Sequence, residues 1–294
     1  MISGRDVRIE NGYIIINGEK NPIVQDVSEI ETEIANRLEI QNNAGFHNSI
    51  YRGKSLGTEV TAAQYAAIEA GTFEDMYIGD YWTIGEVNYR IAHFDYWLGT
   101  GDTQCTTHHV VLVPDTNLYT AKMNDNNVTT GAYVGSAMHT TNLEQAKTII
   151  NTAFGSGHIL LHRELLANAM KAATDPTYES AGSWYNSSVD LMNERMVYGA
   201  DVFHNVLVNG AIPYNYTIGK SQLALFALEP SRIINRASWW LRCVVSAEKF
   251  AHVGGDGDAS SSNASNTEGV RPAFAIISET NRETEEIKSA KSKK

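Results

Sequence analysis

The chain has 294 residues, 43% hydrophobic and 19% charged, which supports a folded core and excludes global disorder. Lys and Arg number 23 against 34 Asp and Glu, a formal net charge of −11 that disfavours nucleic acid and anionic membranes as partners. No apolar run approaches the roughly 20 residues of a membrane span, and two cysteines are too few for a disulfide framework.

Residues 1–26 read as a small strand-and-turn unit. Asn11-Gly12 and Asn17-Gly18 are tight-turn signals on either side of the β-branched run Ile14-Ile15-Ile16. The first six residues lack the apolar stretch of a secretory signal, so synthesis in a reducing cytosol is expected. Val27, Ile30, Ile34 and Leu38 then recur at helical spacing. This stretch fits either a helix packed on its own domain or a short self-association stalk.

From about Phe46 the pattern changes to short strands with a few helices. Thr61 and Gln64 form a capping box for a helix over 62–70, closed by Gly71. Strands are expected at Tyr81 to Ile84, Val87 to Phe94 and His109 to Val113. Asn142 with Gln145 predicts a cap for a second helix, with Leu143, Ala146, Ile150 and Ala153 as its apolar face and Gly155 as its end. Arg163 to Ala173 and Ser188 to Tyr198 read as third and fourth helices. Glu164 and Glu194 would lie on them as solvated or capping carboxylates rather than as a glycosidase pair. The last sixteen residues are polar and charged, as in a solvated tail. Helices inserted among short, mostly antiparallel strands predict an α+β fold.

The stretch "ASWWLRCVV" (237–245) predicts a strand. Trp239, Leu241, Cys243 and Val245 point to the core, while Trp240 and Arg242 share a half-polar face. "EGVRPAFAI" predicts a second strand, with Pro272 at its start or on an edge. Residues 247–269 between them read as a long, polar excursion, the part of the chain available to meet a ligand.

Other chemistry is weaker. Cys105, His108 and His109 offer at most three zinc ligands, with the adjacent histidines pointing apart. His158 and His162 lack the glutamate of a metalloprotease helix. Asp256-Gly257-Asp258 begins like a calcium loop, but Ser261 stands at its sixth position and Thr267 at its twelfth. Neither a catalytic residue nor a metal or cofactor is expected.

"YIGDYWTIGEVNYRIAHFDYW", "HHVVLVPDT", "HILLHRELL" and above all "SWWLRCVV … GVRPAFAI" resemble the C-type-lectin-like domains of virion proteins from phages and prophages of Gram-positive bacteria. The resemblance spans 46–278. It implies short antiparallel strands, a few helices and a long-loop terminal β-hairpin, with residues 1–45 as a β/helical segment for virion attachment and oligomerisation and 279–294 as a charged tail. The implied function is non-enzymatic: a tail-fibre or tip component that attaches to a host surface glycan or protein. A head fibre or capsid decoration protein, and a tail-associated cell-wall or polysaccharide hydrolase, are the alternatives. Implied partners are further copies of itself, as a homotrimer, and other virion proteins. Implied location is the virion. Asp256, Asp258, Ser260, Asn263 and Asn266 are the candidate ligand-binding residues of the display loop. The Glu-Pro-Asn and Trp-Asn-Asp motifs of calcium-dependent lectins are absent.

Overall fold

The computed structural model describes residues 7–10, 13–16, 18–22, 42–170, 179–202 and 221–279. The chain divides into two units, Met1–Asn42 and Asn43–Lys294. In the first, strands β1 (Val7–Glu10), β2 (Tyr13–Ile16) and β3 (Glu19–Pro22) form an antiparallel meander. Gly18, at φ +90, makes the second turn in a conformation that glycine adopts without strain. Val27, Ile30, Ile34 and Leu38, and the tail beyond Glu279, lie outside the described residues.

The second unit is a mixed α+β domain, mostly sheet. Its first large sheet contains β4 (Ser55–Gly57), β5 (Tyr81–Ile84), β6 (Val87–Phe94), β7 (Val110–Pro114), β11 (Val189–Leu191) and β16 (Pro272–Ile276). Their spatial order is β11-β16-β7-β6-β5-β4. β7 and β16 lie inside the sheet and are wholly buried, as continuous apolar runs with neighbours on both sides should be. The second sheet, in order β14-β13-β12-β15-β8, contains β8 (Tyr119–Lys122), β12 (Trp239–Val244), β13 (Lys249–Val253), β14 (Ala259–Asn263) and β15 (Thr267–Val270). β9 (His162–Met170) and β10 (Glu179–Ser187) form a separate two-stranded ribbon.

The helix Ala62–Glu69 has the expected capping box: Gln64 N donates to Thr61 Oγ1 at 3.2 Å, and Thr61 N donates to Gln64 Oε1 at 2.9 Å. The helix Leu143–Phe154 buries Leu143, Ala146 and Ile150 as predicted, with Phe154 in place of the half-buried Ala153, and ends at Gly155, but Asn142 does not cap it. A π-helical turn, Met138–Asn142, already precedes Leu143, so Asn142 is helical and its side chain donates to Lys122 O at 2.9 Å.

Two predicted helices are corrected. Residues 163–170 are strand, because His162 to Met170 pairs with Glu179 to Ser187; the Leu- and Ala-rich composition suggested helix, and partner strands override such propensity. In 188–198, Val189–Leu191 pairs with Pro272–Phe274, and only Glu194–Tyr198 is helix. Its cap is Asn193, whose side chain accepts from Met196 N at 2.8 Å, and Gly199 closes it at φ +78.

Candidate functional site

The predicted terminal excursion folds differently from expectation. "EGVRPAFAI" is two strands, Thr267–Val270 and Pro272–Ile276, which belong to different sheets, so β12 and β16 are not the arms of a hairpin. Pro272, without an N–H, opens the second strand. Residues 247–269 are not a structureless loop: β13 and β14 pair within them, His252 opposite Ser260 and Phe250 opposite Ser262. Small polar residues can form this strand because its neighbours, rather than its own side chains, supply the packing.

Both tryptophans are fully buried. Trp239 and Cys243 lie inside as expected. Trp240 does not share a half-polar face with Arg242: its Nε1 donates to Ala121 O at 2.8 Å. Arg242 instead reaches Glu164 Oε1 at 2.7 Å, and Trp97 Nε1 donates to Glu164 Oε2 at 2.8 Å. Glu164 is therefore a buried, paired carboxylate on a strand, not a solvated one on a helix. Glu194, also buried, accepts from Val202 N at 3.0 Å.

The five candidate residues do not form one cluster. Asp256 and Asp258 are exposed at the β13–β14 turn, whereas Asn263 and Asn266 lie at the far end of β14. Asp258 to Asn263 is five extended steps, roughly 17 Å. Ser260 lies between, half-buried.

The turn itself is well held. Gly254 N donates to Asp258 O at 2.8 Å, Gly257 N to Gly254 O at 3.0 Å, and Tyr198 Oη to Gly257 O at 3.1 Å. Gly257 sits at φ +91, and a Cβ there would come within 3.0 Å of Ile234. A hydrogen bond between the two carboxyls raises Asp258 above the usual carboxylate range and lowers Asp256.

At the other end, Asn266 Nδ2 donates to Ser262 Oγ at 2.9 Å, and Ser262 Oγ to Glu268 Oε1 at 3.0 Å. Ser238 Oγ donates to the other Glu268 oxygen, and His252 Nδ1 lies 3.6 Å from Oε1. Burial lowers the His252 pKa. Glu268, on β15, therefore gathers Ser262 of β14, His252 of β13 and Ser238 just before β12. The spread of the excursion had hidden it: a lone glutamate in "SNTEGV" carries no sequence signal of that role.

The histidines considered for zinc and protease patterns make separate contacts. His109 is held by Thr107 O (2.8 Å) and Trp97 N (3.0 Å), and His108 by Asp95 (2.7 Å). His158 stacks on Tyr65 and His162 on Trp97. Among the described residues no group of three or more His, Cys, Asp or Glu is arranged to hold a metal. No described helix is long and apolar enough to cross a membrane.

Residues 206–278, which include β12 to β16, match the model of a domain of unknown function, DUF6273. No curated protein and no solved structure matches the chain.

Proposed function

We propose that the protein is a non-enzymatic attachment component of a phage or prophage particle, with residues 46–278 as a C-type-lectin-like display domain. The observation that carries this reading is the contrast within the second sheet. Its inner strand Trp239–Val244 is a buried apolar support, and at its edge the hairpin presents small polar groups and an exposed carboxylate pair. Such an edge supplies many hydrogen-bonding groups on a rigid base, which lowers the ordering cost of binding. On this reading Asp256, Asp258, Ser260, Asn263 and Asn266 contact a host surface glycan or protein, and residues 1–45 join the particle as a homotrimer.

The test is binding of the fluorescently labelled full chain to intact cells from a panel of Gram-positive species. Periodate-treated and protease-treated cells distinguish a glycan from a protein receptor. Wild-type binding is expected on at least one species, with at least tenfold loss in the quadruple variant Asp256→Ala, Asp258→Ala, Asn263→Ala, Asn266→Ala, equivalent to ~1.4 kcal/mol. Undiminished binding by that variant removes the hairpin as the contact surface. Loss of turbidity when purified protein meets isolated cell walls would overturn the non-enzymatic reading.

A further inference from the structure

Arg271 occupies the one-residue gap between β15 and β16 and is 1% exposed. Its guanidinium lies over the Trp239 ring, 5.1 Å from the centroid, and 5.6 Å from that of Phe226. Nε donates to Pro114 O at 2.8 Å and Nη1 to Arg232 O at 3.0 Å. Both acceptors are neutral carbonyls. Among the described residues, no carboxylate pairs with Arg271 and its Nη2 has no acceptor.

Arg232, beside it and part-exposed, is held on one side. Its Nε and Nη2 both donate to Tyr51 Oη, at 3.2 and 3.0 Å, and Nη1 has no acceptor among the described residues. The Tyr51 hydroxyl, accepting twice, keeps its own proton for donation elsewhere. The nearby Asp115 is already engaged by both arms of Arg90, at 2.6 and 2.5 Å, and Glu229 accepts from Ser231. Trp239 Nε1, on the ring that supports Arg271, is buried without a partner. The buried donors here therefore exceed their acceptors, and the positive charge of Arg271 has no carboxylate against it. A fully buried guanidinium without a counter-charge is costly. Burial accordingly lowers the Arg271 pKa to about 10, with Arg90 and Arg232 adding to that effect and Asp115 opposing it.

We propose that Arg232 and Arg271, supported by Trp239 and Tyr51, form a binding site for an oxyanion, a carboxylate or phosphate group. Arginine's planar fork fits the paired oxygens of either group, and Arg232 and Tyr51, both part-exposed, give it access from solvent. The chain's net negative charge does not oppose this, because contact hydrogen bonds act well inside the roughly 8–10 Å over which salt screens distant charges. The site shares no residue with the β13–β14 hairpin, so it does not depend on the attachment reading.

The full chain is titrated with inorganic phosphate and, separately, with glucuronate, at ionic strength held constant with sodium chloride. Calorimetry and thermal unfolding are the readouts. A saturable heat and a saturable rise in Tm are expected with at least one of them. Response to phosphate alone identifies a phosphate site, response to glucuronate alone a carboxylate site, and response to both an unselective oxyanion site. Arg232→Gln should weaken binding at least tenfold. Tyr51→Phe, which removes only the oxygen holding Arg232, should weaken it severalfold and serves as the comparison should the first variant fail to fold. No saturable response to either anion, or wild-type affinity in the folded variants, overturns the proposal.

Discussion

Strand Trp239–Val244 buries five of its six residues, whereas Ala259–Asn263, two places away in the same sheet, buries one of its five. The inner strand is held by dispersion and exclusion of water. The outer one is held by backbone pairing and by a few polar side chains gathered on Glu268. The comparison separates two kinds of residue: those whose loss opens a cavity, and those whose loss removes surface groups over an intact base.

Trp239→Ala gives the largest expected effect on that contrast. It removes a fully buried indole and the platform under Arg271, and should cost about 3–5 kcal/mol in urea unfolding. Loss below about 1 kcal/mol would show that the inner strand is not the support described here. Next comes Glu164→Ala, which removes the buried carboxylate that both Arg242 and Trp97 Nε1 contact. About 3 kcal/mol is expected. The double variant Glu164→Ala, Arg242→Met should recover part of that loss; strictly additive losses would argue against the pair acting as a unit.

Acid provides a third test. Burial lowers the pKa values of His93 and His109 from 6.5 to about 4. The unfolded chain therefore takes up protons between those values while the folded chain resists. The stability contribution is fully present above pH 6.5 and is lost as pH falls towards 4, with a limit of roughly 3 kcal/mol per histidine. Urea midpoints should fall steadily from pH 7 to pH 4.5, and His109→Gln should flatten that slope. The smallest effect is predicted for the quadruple hairpin variant, below about 1 kcal/mol in all. A large stability loss there would make the outer strand part of the scaffold and erase the contrast.

Local signals were legible wherever a few neighbouring residues decide the outcome. The Thr61–Gln64 box, the strands at 81–84 and 87–94, the closing glycines 71, 155 and 199, and the burial of Trp239 and Cys243 follow from spacing and side-chain type. Misreadings occurred where distant partners decide. Residues 163–170 are compatible with helix by composition and become strand because 179–187 lies alongside. The Ser- and Asn-rich 259–263 has little strand propensity, yet it pairs with the apolar strand 249–253. The role of Glu268 required Ser238, His252 and Ser262 to be brought together, and that of Arg271 required Pro114, Arg232 and Trp239, which no local pattern links to it.

From the sequence alone came a folded α+β chain, an apolar strand around paired tryptophans, and a polar segment after it, because burial preference and periodicity are properties of short stretches. Tertiary structure alone decided that this segment is a paired hairpin, that its candidate residues are spread along one strand and beyond both its ends, and that Arg271 is buried against the main-chain oxygens of Pro114 and Arg232. Those outcomes depend on which segments become neighbours, from the pairing of 249–253 with 259–263 to the reach of Arg271 across 157 residues to Pro114 O, and that sets hydrogen-bond partners and charge balance.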